Sequence, residues 1–265
     1  MTRRHLTFHC EGDILAATLD EASGTDGLLI VSGGNETRAG AFSGQSHLAA
    51  RIAAKGYPVL RFDRRGVGDS SGQNRGFRES REDILAALAA FRDQCPNVSR
   101  IVAFGNCDAA SALMLMRGDG CDALVLSNPW TFEDEADDAY ALPPPEAIRA
   151  RYWAKLRNPA EWLRLLRGQV NLSRLRQGLG AAAARSAGPT GLAQEMAKGL
   201  DGATKPYAIL IAGNDRTGLA FDRFWTTHGN LQQGPVYRCP GASHAYLEPH
   251  AAEWLEAQVM AMLQG

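Results

Sequence analysis

Four short segments carry residues able to do nucleophilic chemistry. Gly105-Asn106-Cys107-Asp108-Ala109 lies between an apolar run, Ile101–Phe104, and a helical stretch, Ala109–Met116. It has the layout of a strand–turn–helix elbow, G-x-S-x-G, with Cys in place of Ser and Ala in place of the last Gly. A turn this sharp needs small residues on both sides, because strand and helix come close together. The nucleophile is held clear of the sheet at a helix N-terminus, whose dipole and free N–H groups favour a thiolate. The plainer alternative is that Cys107 is a small buried hydrophobe, a common fate of cysteine.

Gly241-Ala242-Ser243-His244 follows the last apolar strand-like run and precedes the last helix. An imidazole base belongs there in a sheet of this kind, although a lone His is often structural. Gly213-Asn214-Asp215 follows the preceding strand; an Asp at this point can fix the imidazole tautomer and stabilise the imidazolium. Its alternative role is to cap the following helix, and Asp222 and Glu133 are the fallback acids. Ser32-Gly33-Gly34-Asn35 is a glycine loop after a strand. Its N–H groups, from Gly34 or Asn35, together with the Asp108 N–H, are candidate donors to an oxyanion, and an ordinary turn is the alternative.

Several elements must position these residues. Leu6–Cys10 and Ile14–Leu19, separated by Glu11-Gly12-Asp13, read as a hairpin. Leu28–Val31, Pro58–Asp63, Ile101–Phe104, Leu124–Leu126, Ala208–Ala212 and Val236–Cys239 read as strands. Between them lie helical patterns: His47–Lys55, a segment from Ser80 with Asp83 as capping-box partner, and Ala109–Met116. A last helix begins at Pro249, with Leu255, Val259, Met262 and Leu263 as its buried stripe. Strands alternating with helices mean a mostly parallel sheet, whose catalytic groups gather at the carboxyl ends of the strands.

The alternation breaks over 130–202. An acidic stretch, Glu133 to Asp138, leads to Pro143-Pro144-Pro145. Eight Arg and one Lys then stand against one acid, Glu161, between Arg149 and Arg185. Tyr152, Trp153, Trp162, Leu163, Leu165 and Leu166 recur at helical spacing. This span reads as an inserted helical cap on a core of 1–129 and 203–265, with Ala181–Ala184 and Gly188-Pro189 at its edge.

With 265 residues the chain suits one large α/β domain. Its 28 basic and 29 acidic side chains leave a net charge of −1, which gives no argument for nucleic acid or an acidic membrane surface. The five cysteines are odd in number and lack a C-x-x-C pair. A disulfide framework and a cysteine-ligated zinc are therefore not expected, and a reducing, cytoplasmic compartment is. No secretory leader is expected from Met1–His9, and the longest apolar run, Ile84–Phe91, is too short to span a bilayer. Gly66-x-Gly68 lacks the third glycine of a dinucleotide fingerprint. The six histidines show no metal-ligand spacing, so neither cofactor nor metal is expected.

Together these pieces resemble the α/β-hydrolase superfamily over nearly the whole chain. Asp63-Arg-Arg-Gly-Val-Gly-Asp-Ser-Ser-Gly72 is similar to its D-x-R-G-x-G-x-S-x-G loop, Gly241–His244 to its histidine loop, and 130–202 to its lid. The resemblance implies an eight-stranded, mostly parallel sheet flanked by helices. Gly105–Ser111, Tyr152–Leu156 and Leu166–Leu172 are also similar to the exosortase A system-associated hydrolase 1 group, which carries a Cys-Asp pair at the elbow. That likeness implies a hydrolase found with exopolysaccharide and protein-sorting loci and names no substrate. Cys107, Ala109 and Ser32 depart from the superfamily pattern and argue against generic esterase or lipase activity.

The expected chemistry is acyl transfer through a thioester on Cys107, with His244 as base or ion-pair partner and Asp215 orienting it. A thiol nucleophile loses little when the substrate is itself a thioester, so a thioester is expected before an ester or lactone. The basic cap could meet an anionic carrier such as coenzyme A or a carrier-protein phosphopantetheine; a solvated helix face is the alternative. Asp108 is expected to point away from the nucleophile or pair with an Arg. Two rival readings use the same fold: an acyltransferase with the same triad, and a binding module without hydrolysis.

Overall fold

The computed structural model describes residues 2–132, 191–227 and 234–265. The acidic stretch, the proline run, the basic segment Arg149–Arg185 and the fallback acid Glu133 lie outside the described residues.

Eight strands form one sheet: β1 (Arg3–Cys10), β2 (Asp13–Asp20), β3 (Asp26–Val31), β4 (Val59–Phe62), β5 (Arg100–Asn106), β6 (Ala123–Ser127), β7 (Tyr207–Ala212) and β8 (Val236–Cys239). Their order is β1-β2-β4-β3-β5-β6-β7-β8. Only β2 runs against its neighbours, pairing antiparallel with β1 and β4, while the other pairings are parallel. The β1–β2 hairpin turns through Glu11 and Gly12, both at positive φ (49° and 92°), as a two-residue turn that follows strand twist requires. The expected mostly parallel, eight-stranded α/β sheet is thus the observed one.

Six helices of eight residues or more flank the sheet among the described residues: α1 (Gly44–Ala54), α2 (Arg81–Gln94), α3 (Asp108–Leu115), α4 (Gly191–Leu200), α5 (Arg216–Thr227) and α6 (Pro249–Leu263). Side chains alternate across the parallel strands, so each strand feeds two cores. Leu29, Val31, Ala103, Leu126 and Ile209 meet Phe91 of α2, Leu113 of α3, Met196 of α4 and Trp225 of α5. Leu28, Ile30, Phe104, Val125 and Leu210 meet Ile52 of α1 and Val259 and Leu263 of α6. Burial on both faces explains why the central strands read as continuous apolar runs. α4 falls within the span read as cap, yet its Leu192, Met196 and Leu200 are buried in the first of these cores.

Two expectations change. Asp83 is not a capping-box partner: Ser80 makes no side-chain cap and its hydroxyl donates to the Phe77 carbonyl at 2.7 Å. Asp83 is instead buried, 2.5 Å from Arg65 Nε and accepting the Arg65 N–H at 2.9 Å. A buried carboxylate needs a charged partner, and Arg65 on the loop after β4 supplies it. On α6, Met260 is buried along with Leu255, Val259 and Leu263, while the expected Met262 is only partly buried against the same core.

The elbow depends on Gly105. A Cβ there would stand 2.7–2.9 Å from the backbone of Ala109 and Ala110, so α3 lies directly on β5. Gly105→Val is expected to destabilise the fold by about 1–3 kcal/mol through overpacking against backbone that cannot give way. Urea denaturation of the variant beside wild type would check this.

Candidate active site

Register brings the candidate residues to one edge. Val31 pairs with Gly105, Asn106 with Ser127, and Ala212 with Cys239. The segments that follow β3, β5, β6, β7 and β8 therefore leave the sheet side by side, and each supplies part of the site.

Cys107 occupies the turn between β5 and α3 with φ 62° and ψ −130°. A non-glycine residue held there costs about 1–3 kcal/mol and persists only where its surroundings impose it. Its amide donates to the Ser127 carbonyl at 3.0 Å, and its own carbonyl accepts from Ala110 and Ser111, which starts α3. Cys107 is partly exposed, whereas Cys10, Cys121 and Cys239 are buried. Burial pushes the Cys10 thiol up to about 11, with help from Asp83, and the Cys121 thiol up to about 12. Burial likewise raises Cys95 and Cys239. These four thiols are poor nucleophiles at neutral pH.

His244 and Asp215 come together. His244 Nδ1 lies 2.9 Å from Asp215 Oδ2, but off the line of a well-directed hydrogen bond, and Nδ1 is buried. Contacts of this sort tighten when substrate fills a site. Burial alone would lower the imidazole pKa; hydrogen bonding and charge from Asp215 and Cys107 outweigh it and push His244 up to about 10. Cys107, His244 and Asp215 are thus brought together in one constellation. Asp215 also accepts the Gly218 N–H at 2.7 Å and the Thr217 N–H at 3.3 Å, so it caps α5 as well as facing His244. Asp222, the fallback acid, is bound by Arg238 at 2.6 and 2.8 Å and takes no part.

The glycine loop departs from expectation. The Gly34 N–H donates to Asp108 Oδ1 at 2.6 Å and is not a free donor. A carboxylate at the first residue of α3 reaches this amide because the Gly33 backbone passes against the elbow. A Cβ on Gly33 would stand 2.5 Å from the Asn106 carbonyl oxygen and 3.4 Å from Cys107 Cβ. Asp108 also pairs with Arg64 at 3.3 Å, as expected of it. The amides of Asn35 and Asp108 have no acceptor among the described residues.

Two residues escaped the sequence reading. Arg64 lies within the Asp63–Gly72 segment but outside that segment's recurring positions. Asn128 follows β6 and is fully buried at φ 44°. Its amide nitrogen donates to Asn106 Oδ1 at 3.0 Å and reaches the His244 carbonyl at 3.4 Å, while its oxygen accepts the Ala212 N–H at 2.8 Å. A polar pair, Ser127-Asn128, directly after an apolar strand was the available signal. A Cβ on Gly218 would collide with Asn128 Oδ1, so that glycine makes room for this side chain.

Among the described residues no three His, Cys, Asp or Glu side chains cluster as a metal site, and no helix is long and apolar enough to cross a membrane.

Comparison with known proteins fits this architecture. Residues 28–257 match the alpha/beta hydrolase family. No curated protein matches the sequence. Among solved structures the chain resembles the Pyrococcus furiosus esterase Pf2001, with 16% identity and a TM-score of 0.63 over 99% of this chain and 92% of that one. It also resembles Est1E from Butyrivibrio proteoclasticus with ferulic acid bound, at 17% identity and TM-score 0.60 over 98% and 100% of the two chains. A thioesterase domain from the curacin biosynthetic pathway aligns at 14% identity and TM-score 0.58, again over 98% and 100%. At such identities the likeness is one of fold, whereas the family match spans most of the chain. The chain belongs to the alpha/beta hydrolase family and is an enzyme of the hydrolase class.

Proposed function

We propose that the chain is a cysteine-nucleophile hydrolase that cleaves an activated acyl substrate, foremost a thioester, through an acyl-enzyme on Cys107. The observation that carries this reading is the strained, partly exposed Cys107 at a helix N-terminus, brought together with His244 and Asp215. An imidazole that holds its proton at neutral pH is a weak base but a strong partner for a thiolate. In this reading Cys107 and His244 rest as an ion pair.

In the proposed cycle the Cys107 thiolate adds to the substrate carbonyl carbon. The oxygen that takes up the electron pair is held by the N–H groups of Asp108 and Asn35. Collapse expels the leaving thiolate, which takes the imidazolium proton, and the acyl group stays on Sγ. Neutral His244 then removes a proton from water attacking the acyl-enzyme, and a second collapse returns the thiolate–imidazolium pair. Asp215 holds the imidazole in place throughout. The curacin thioesterase likeness supports a thioester substrate, and the basic segment Arg149–Arg185 supports an anionic carrier such as coenzyme A or a carrier-protein phosphopantetheine. Membership of the exosortase A system-associated hydrolase 1 group, a lid within 130–202 and a cytoplasmic setting belong to the same reading.

Intact-mass analysis after brief incubation with acyl thioesters and aryl esters is the direct test. Wild type is expected to gain one acyl mass or turn over, Cys107→Ala to do neither, and His244→Ala to slow by about 10²–10⁴-fold. An adduct that survives Cys107→Ala would overturn the assignment of the nucleophile.

The pH dependence of alkylation tests the ion pair separately. Against the effect of burial, the neighbouring Asp215 and Cys107 raise His244 to about 10, so it holds its proton at neutral pH. A protonated imidazole beside Cys107 favours the thiolate. Wild type is therefore expected to react with iodoacetamide at pH 7 about tenfold or more faster than His244→Ala. The difference should shrink as pH rises past about 8.5, where an ordinary thiol ionises unaided. Equal rates at pH 7 would exclude the pair.

A further inference from the structure

We infer that Asp108 and Arg64 form a charge-compensated brace that fixes the glycine loop against the nucleophile elbow, which makes both positioning residues of the oxyanion site. Its consequence for turnover rests on the reading of Cys107 as nucleophile; the brace itself stands on geometry.

The two oxygens of Asp108 are both engaged. Oδ1 accepts the Gly34 N–H at 2.6 Å, and Oδ2 lies 3.3 Å from Arg64 Nη2. The same Nη2 donates to the Gly34 carbonyl. That carbonyl shares a planar trans peptide with the Asn35 N–H, and in such a unit C=O and N–H point opposite ways. Arg64 thereby fixes the direction of the Asn35 N–H, an amide with no acceptor among the described residues. Asn74 adds a further tie by donating to Asn35 Oδ1 at 2.8 Å. A hydrogen bond to an ionised acceptor is stronger than one between neutral groups, so the Gly34–Asp108 contact is a firm fastening.

Charge explains why the brace needs two residues. A carboxylate next to the nucleophile would repel both a thiolate and a developing oxyanion. Arg64 is only 4% exposed and Asp108 is its one carboxylate partner among the described residues. Its Nη1 is buried with no hydrogen-bond partner, so its charge is not shared with another acid. The pair is close to neutral, where the carboxylate alone would disturb the site. Asp108 thus lends the elbow an anchor for the loop without an uncompensated negative charge.

Amide exchange by NMR and steady-state kinetics, run on the same variants, test the brace. Asp108→Ala is expected to speed exchange of the Gly34 amide about tenfold or more. The same change should lower kcat about tenfold or more while KM stays within about threefold, because a donor to the transition state is misplaced. Asp108→Asn keeps an acceptor for Gly34 and should recover most of both losses. Arg64→Met leaves the carboxylate uncompensated and should lower kcat, and adding Asp108→Asn should restore part of it, a coupling that independent structural losses would not give. Unchanged Gly34 exchange in Asp108→Ala would overturn the brace. Faster turnover in Asp108→Ala would overturn it too, by showing that the carboxylate blocks the site. Failure of the Cys107 reading would appear separately, as absence of an acyl adduct in wild type, and Gly34 exchange would then decide the brace alone.

Discussion

The backbone turn at Cys107 is the constraint on which the rest of the site depends. A side chain at φ 62° and ψ −130° is unfavourable in isolation, and the cost is offset only if strand and helix are pinned on either side. β5 provides one pin, locked between β3 and β6 at the centre of the sheet. α3 provides the other, with Ala109 and Ala110 fully buried against Gly105. Small residues at these positions are therefore a packing requirement, and Ala109 meets it where glycine is usual.

Behind the turn, amide side chains align loops that come from separate strands. The His244 carbonyl accepts from Asn106 at 3.2 Å, and Asn128 extends the same contact to the end of β7 through the Ala212 N–H. Asn214 adds a bond of 3.1 Å to the Gly241 carbonyl, joining the acid loop to the histidine loop. Tyr246 and Ser127 close the network at 2.9 Å. Neutral amides and hydroxyls suit this place: fully bonded, they specify one geometry without the desolvation cost of buried charge. His244 and Cys107 themselves remain partly exposed at the edge of this network.

The segment after β4 finds its purpose here. Asp63 is fully buried and accepts the Asp69 N–H at 3.0 Å and the Arg38 N–H at 2.5 Å. Gly68 must lack a side chain because a Cβ would meet the Asp63 carboxylate. Ser70 donates to the Asp63 carbonyl at 2.7 Å and accepts from Ala16 of β2 at 2.9 Å. The recurring Asp, Gly and Ser positions thus make a rigid turn tied to the sheet. Arg38 and Gly34 are bonded to that turn, and Asn35 to Asn74 just beyond it, so the glycine loop takes its position partly from this segment.

The sheet, its helices and the placing of Cys107, Asp215 and His244 just after strands were legible in sequence because local signals mark them. Apolar runs give strands, period-3.6 stripes give helices, and Cys107, Asp215 and His244 each follow a strand end in order. Asp83 shows the limit: its spacing from Ser80 fits a capping box, but Arg65, 18 residues earlier in the chain, takes it into the interior. Gly34 shows it again. Nothing in Ser32–Asn35 tells which amide is free, since that depends on Asp108, 74 residues away, and on Arg64 turning to hold both. The sequence by itself determined which residue types stand at which strand ends, because burial and turn geometry are local demands. Which donors stay open, and which acid meets which cation, only the tertiary structure decided, because hydrogen bonds and ion pairs are settled among side chains brought together from distant parts of the chain.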